Sequence, residues 1–178
     1  MDFTSNVPLF IAFATPKDIA NTINAKSNEI YFTSSGSEAN SWALKGIAEA
    51  NRTKGNHIIT SKIEHPSVLE ECRHLENNGY EVTYLDVDHN GFINFVQLLR
   101  AIKPTTILIS IISANNEIGT IQNIKAIAQT AHEKGIIFHT DAVQLYGNMY
   151  LDVVDLGIDA MTISAHKMYG PKGVGALY

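Results

Sequence analysis

Five short segments hold most of the residues with chemical potential. The first, Ser34-Ser35-Gly36-Ser37-Glu38-Ala39-Asn40, follows the run EIYFT. Ser35 and Glu38 have the spacing of a capping box, which starts a helix. Unpaired N–H groups at Gly36 and Ser37, with the helix dipole, would favour an anion such as a phosphate. Glycine lets the anion come close to the backbone. A capped helix that binds nothing has the same pattern. The second segment, Glu64-His65-Pro66, follows HIIT. Proline suits a first helical turn, leaving His65 at the helix entrance, either facing a ligand or sitting on the surface beside a cap. The third, Asn115-Asn116-Glu117-Ile118-Gly119-Thr120, follows TTILISII; its two amides could form an Asx turn or hold a ligand's polar edge.

The fourth segment is His139-Thr140-Asp141-Ala142-Val143-Gln144. Asp141 would emerge at the end of a buried strand, with Gln144 one turn later. A buried carboxylate needs a positive partner or several donors, and a protonated ring nitrogen would serve; a helix N-cap is the other reading. The fifth runs from Ser164 through His166, Lys167 and Tyr169 to Gly173, between two apolar runs. A lysine held there among apolar and aromatic groups could have a lowered pKa and act as a nucleophilic amine, while hydroxyl, imidazole and glycines hold an anion. A solvated loop lysine is the alternative, and Lys172 fits that part.

These segments must be positioned by an alternating α/β pattern. Strands are expected at Glu29–Thr33, His57–Thr60, Glu81–Leu85, Thr106–Ile112, Ile136–Thr140, Ala160–Ser164 and Gly173–Tyr178. Helices are expected near Pro16–Ala25, Ser37–Arg52, Pro66–Asn77, Phe95–Ile102 and Ile121–Glu133, with Gly79 and Gly135 as C-terminal stops. The fold class is α/β, with a mainly parallel sheet between helices. The five segments all follow strands, where open α/β sheets bind ligands. A phosphate cradle, an aspartate for a ring nitrogen, a ring-facing histidine and an amine nucleophile are together the parts of a pyridoxal phosphate site.

FTSSGSEAN, TSKIEHPSVLE, NNEIGTIQ, HTDAVQ and SAHKMYGPKGVGALY occur in the order and spacing of the cysteine desulfurases. From about Thr15 to Tyr178 the chain resembles the large, cofactor-binding domain of that family, within the class V aminotransferase group of fold-type I pyridoxal phosphate enzymes. The EHPSV and NNEIG forms resemble the branch that supplies sulfur for iron–sulfur clusters and tRNA thiolation more than the selenocysteine-lyase-like branch. The resemblance implies that Lys167 is the Schiff-base lysine, that His65 stacks on the ring and helps move protons, and that Asp141 pairs with the pyridinium nitrogen. It implies that Gln144 and Asn116 bond the ring oxygen, and that Gly36, Ser37, Ser164 and His166 hold the phosphate. It further implies L-cysteine as substrate, L-alanine and an enzyme persulfide as products, a sulfur-acceptor protein and a homodimer. In such enzymes the catalytic cysteine and the arginine that binds the substrate carboxylate lie beyond the lysine, outside this chain. An incomplete large domain, inactive alone, is therefore expected, with residues 1–14 an unmatched segment. Another class V aminotransferase or lyase, or a non-catalytic cofactor- or partner-binding remnant, would share much of this sequence.

Composition narrows the field. The chain has 178 residues, 45% of them hydrophobic and 17% charged, enough for one sizeable core and unlike a disordered or collagenous chain. Thirteen basic against 18 acidic residues give a net charge of -5, without the basic footprint of a nucleic-acid binder. One cysteine cannot form an intramolecular disulfide, which fits a reducing cytoplasm. Cys72 shares a helical face with Val68 and Leu75 and reads as core. No apolar run approaches the ~18 residues of a membrane span. Val7–Ala14 is apolar but lacks the preceding positive charge of a signal peptide, so an apolar packing element is expected there. No metal site is expected.

Overall fold

The structure is a computed structural model that describes residues 14–178; the apolar run from Val7 lies outside them but for Ala14. Helices and strands alternate: α1 (Pro16–Ile23), β1 (Tyr31–Thr33), α2 (Gly36–Ala50), β2 (His57–Ser61), α3 (Pro66–Asn77), β3 (Glu81–Leu85), α4 (Phe95–Ala101), β4 (Thr106–Ser110), α5 (Ile124–Glu133), β5 (Ile137–Asp141), α6 (Val153–Leu156), β6 (Ala160–Ser164) and β7 (Gly175–Leu177). The strands form one sheet in the order β1-β7-β6-β5-β4-β2-β3. The run from β6 to β3 is parallel, and β7 is antiparallel to both β6 and β1. β1 therefore points the same way as the parallel strands, and its carboxyl end joins theirs at one edge of the sheet.

Period-two alternation builds the two layers. Ile59 of β2, Ile109 of β4 and Phe138 of β5 belong to one core with Ile19 and Ile23 of α1, Leu98 of α4 and Ile127 of α5. Their neighbours Ile58 and Leu108 belong to the other, with Ala43 and Leu44 of α2 and Val68, Cys72 and Leu75 of α3. Strands buried on both faces read as continuous apolar runs, as here. His139 is the polar intruder. Its ring bridges Ser110 Oγ (2.9 Å) and Thr162 Oγ1 (3.1 Å) on the flanking strands, and burial pushes its pKa down to about 3, so it ties three strands as a neutral ring.

Several element bounds differ from expectation. Ser27–Glu29 is a turn of 3-10 helix, so β1 starts at Tyr31 and not Glu29. β4 ends at Ser110 rather than Ile112, and β5 runs Ile137–Asp141, one residue later than expected at both ends. α1 stops at Ile23 because Asn24 turns left-handed (φ 58). α2 starts one residue earlier than expected, at Gly36, and ends at Ala50. α5 starts at Ile124, where the Asn123 side chain accepts from the Ala126 N–H. The final strand shrinks to Gly175–Leu177. The short helix α6 was not anticipated, although Asp152 caps it through the N–H groups of Val154 and Asp155. Gly79 and Gly135 take positive φ just after α3 and α5, as expected of helix stops.

Phe138 lies fully buried beneath the strand end that carries Asp141. Phe138→Ala is expected to lower unfolding stability by about 3–5 kcal/mol in urea titrations, while a loss under about 1 kcal/mol would contradict its place in the core.

Candidate active site

A cleft of about 150 Å³ opens at the carboxyl edge of the sheet. Every residue singled out for the site lines it: Gly36 and Ser37 at the start of α2, His65 before α3, Asn116 after β4, Asp141 and Gln144 after β5, and Ser164, His166 and Lys167 after β6. Residues up to 131 positions apart in sequence thus share one cavity only because parallel strands all end on the same side.

Asp141 is the most constrained of them. It is 3% exposed and accepts hydrogen bonds from Asn40 Nδ2 (2.7 Å) and the Val143 N–H (3.0 Å). Burial raises its pKa, and these two donors and the nearby His65 oppose that shift. No helix starts at Asp141, so it is not an N-cap. Asn40 was not anticipated as a site residue. It stands one helical turn after Gly36 and Ser37, the i, i+3 and i+4 spacing that puts side chains on one face, and this was the available signal. Its Oδ1 is buried without a hydrogen-bond partner among the described residues.

The α2 entrance departs from the expected capping box. Ser35 Oγ does accept from the Glu38 N–H (3.1 Å), but the Glu38 carboxylate reaches Ser34, taking its N–H (2.6 Å) and Oγ (2.7 Å) instead of the Ser35 N–H. The reciprocal box occurs at α1, between Thr15 and Asp18. A Cβ on Gly36 would lie 2.9 Å from Val143 Cγ2 and 3.3 Å from Ser164 Cβ. Its missing side chain therefore lets the helix start sit directly on the loops after β5 and β6.

His65 combines both of its readings: it caps α3 by accepting from the Ser67 N–H (3.2 Å) and also lines the cleft. The two asparagines divide their tasks. Asn115 makes the Asx turn through the Glu117 and Ile118 N–H groups (2.9 and 3.1 Å), and Asn116 faces the cleft. Ser164 Oγ and His166 Nδ1 pair at 2.9 Å. Lys167 corrects an expectation: it is exposed on a 3-10 turn (Ala165–Met168), not enclosed among apolar and aromatic groups. Tyr169 ends that turn in the left-handed region (φ 62), and Gly170 passes where a Cβ would lie 2.8 Å from the Ala165 carbonyl oxygen. Cys72 is fully buried in α3, and burial pushes its thiol up to about 12. It is a core residue, as its spacing indicated, and an inert thiol.

The aminotransferase class-V family profile matches residues 11–178. The chain belongs to that family. This class-V chain is 57% identical over 160 residues to the cysteine desulfurase IscS of Clostridium botulinum, an alignment covering 90% of this chain and 40% of that protein. Among solved structures it is similar to "SspA in complex with cysteine" (46% identity, TM-score 0.88), over 92% of this chain and 47% of that one. It is also similar to a "NifS-like protein" (37% identity, TM-score 0.89), over 92% of this chain and 46% of that one. The class-V chain thus spans about two fifths of the length of the curated relative. Its mixed, mostly parallel sheet between helices matches the expected fold class, and these neighbours share it.

Glu64 lies directly behind the site and was not anticipated. Its Oε1 accepts from Ser61 Oγ (2.5 Å) and the Ile112 N–H (2.9 Å), and its Oε2 has no partner among the described residues. Burial pushes its pKa up to about 8 despite those donors. Between pH 4.5 and about 8 the unfolded chain ionises this group while the folded chain keeps the proton, so rising pH costs stability, with the loss complete above about 8. Glu64→Gln cannot ionise and is expected to gain a few kcal/mol on the parent between those two pH values in urea titrations. A difference that stays constant across the window would contradict a buried neutral carboxyl.

Proposed function

We propose that residues 15–178 belong to the cofactor-binding large domain of a pyridoxal 5'-phosphate-dependent cysteine desulfurase. The observation that carries this reading is the convergence of Asp141, His65, Lys167 and the α2 entrance on one cleft. The chemistry of the donor set fits the cofactor. Among the described residues Asp141 is buried with two donors and the Asn40 Oδ1 with none, so the site holds acceptor capacity suited to a cationic ring N–H. Ser37 and Ser164 supply hydroxyls, and α2 supplies the N–H groups of its first turn for a phosphate.

When bound, the cofactor supplies an aldehyde that takes up an amine and a ring that accepts electrons from a carbanion. Lys167 would hold it covalently, its exposed amine having no ion pair among the described residues. Asp141 would keep the ring nitrogen protonated. Gln144 and Asn116 would bond the ring oxygen, and His65 would stack on the ring and move protons. Gly36, Ser37, Ser164 and His166 would hold the phosphate. The substrate would be L-cysteine, yielding L-alanine and sulfur on a thiol. That thiol is not Cys72, which the core seals, so it must come from outside these 178 residues. A sulfur-acceptor protein of iron–sulfur or tRNA-thiolation chemistry, a homodimer and a cytoplasmic setting complete the reading. Among the described residues no helix is long and apolar enough to cross a membrane.

Mixing the chain with pyridoxal 5'-phosphate, reducing with borohydride and mapping the label by mass spectrometry tests the assignment. Label concentrated on Lys167, and lost in Lys167→Ala, is expected. Label scattered over exposed lysines would overturn it.

A further inference from the structure

A chain of hydrogen bonds runs beneath the cleft from Asp141 through Asn40 and Ser67 to His65. A carboxylate accepts only, so Asn40 must present its Nδ2 to Asp141 (2.7 Å). The second proton on Nδ2 then points to Ser67 Oγ (3.0 Å), which accepts it. Ser67 Oγ keeps its own proton for His65 Nδ1, 2.7 Å away. The Ser67 backbone N–H, which can only donate, is aimed at the same Nδ1 at 3.2 Å. A ring nitrogen facing two donors carries a lone pair and no proton, and in a neutral imidazole the proton then sits on the other nitrogen.

We propose that Ser67 and Asn40 are positioning residues that hold neutral His65 in its Nε2–H tautomer, so that the ring meets the cleft as a hydrogen-bond donor. The consequence for the reaction rests on the function proposed above. In this state His65 gives a hydrogen bond at Nε2 to an electronegative atom of a bound ligand. Acting as a base at Nε2 requires the minor, Nδ1–H tautomer. In the favoured tautomer a proton taken up by the ring enters at Nδ1, where it displaces both Ser67 donors.

The tautomer is a property of the chain alone, so it is measurable without cofactor, and its failure is separate from failure of the proposed activity. The full chain, labelled with 15N at histidine, would be studied by long-range 1H–15N correlation at a pH where imidazole is neutral. His65 is assigned by the signals lost in His65→Asn. The expected result is an Nε2–H ring whose minor tautomer is about fivefold scarcer than that of exposed His89 in the same spectrum. Ser67→Ala should raise the minor fraction toward that of His89, and Ser67→Thr, which keeps the hydroxyl, should restore it. A predominant Nδ1–H form, or a ratio that Ser67→Ala leaves unchanged, would overturn the proposal. Should Ser67→Ala fail to fold, the parent's ratio against His89 decides by itself.

Discussion

Most of the site hangs on one carboxylate that the fold keeps from water. Asp141 ends the β5 strand with 3% of its surface exposed, and its two donors come from different places. One is the Val143 N–H of its own loop. The other is Asn40, one turn into α2, a helix that also carries Gly36 and Ser37 into the cleft. Burying a carboxylate with so few partners costs stability unless something positive arrives. On the proposed function, the protein holds an acceptor ready here and the ligand supplies the donor.

The surrounding loops are braced against one another rather than left to float. The neutral Glu64 carboxyl joins the loop after β2 to the Ile112 N–H after β4, and Asn115 Nδ2 returns to the Ile63 carbonyl (3.0 Å). Val143 and Ser164 sit against Gly36, so the entrances after β1, β5 and β6 close into one wall. His139 stitches β4, β5 and β6 just inside that wall. Rigid support of this kind keeps binding groups within the narrow tolerances that catalysis needs.

The parallel architecture was legible because its central strands are buried on both faces and include unbroken apolar runs such as TTILISII. The candidate cleft was legible because every chemical segment follows a strand. What escaped depended on contacts distant in sequence. Asn40 is one polar residue on an otherwise ordinary helix until Asp141, 101 positions away, is beside it. Glu64 reads as a charged residue next to a histidine, and only the close approach of Ile112 shows that it is buried. Glu38 satisfied the spacing of a capping box, yet Ser34 offers it two donors where Ser35 would offer one, and the extra bond prevails. Lys167 is an exposed residue of the cleft lining because its 3-10 turn buries Ala165 and Met168 instead, a choice of face that sequence spacing over four residues does not reveal.

The central claim is that Asp141 anchors a cationic ring in this cleft. Binding of pyridoxal 5'-phosphate to the parent chain and to Asp141→Asn, followed by absorbance titration, tests it most directly. The account predicts one saturable site in the parent and affinity lowered about tenfold or more in Asp141→Asn, the size of a lost hydrogen bond to a charged group. Equal affinity in the two chains would contradict it.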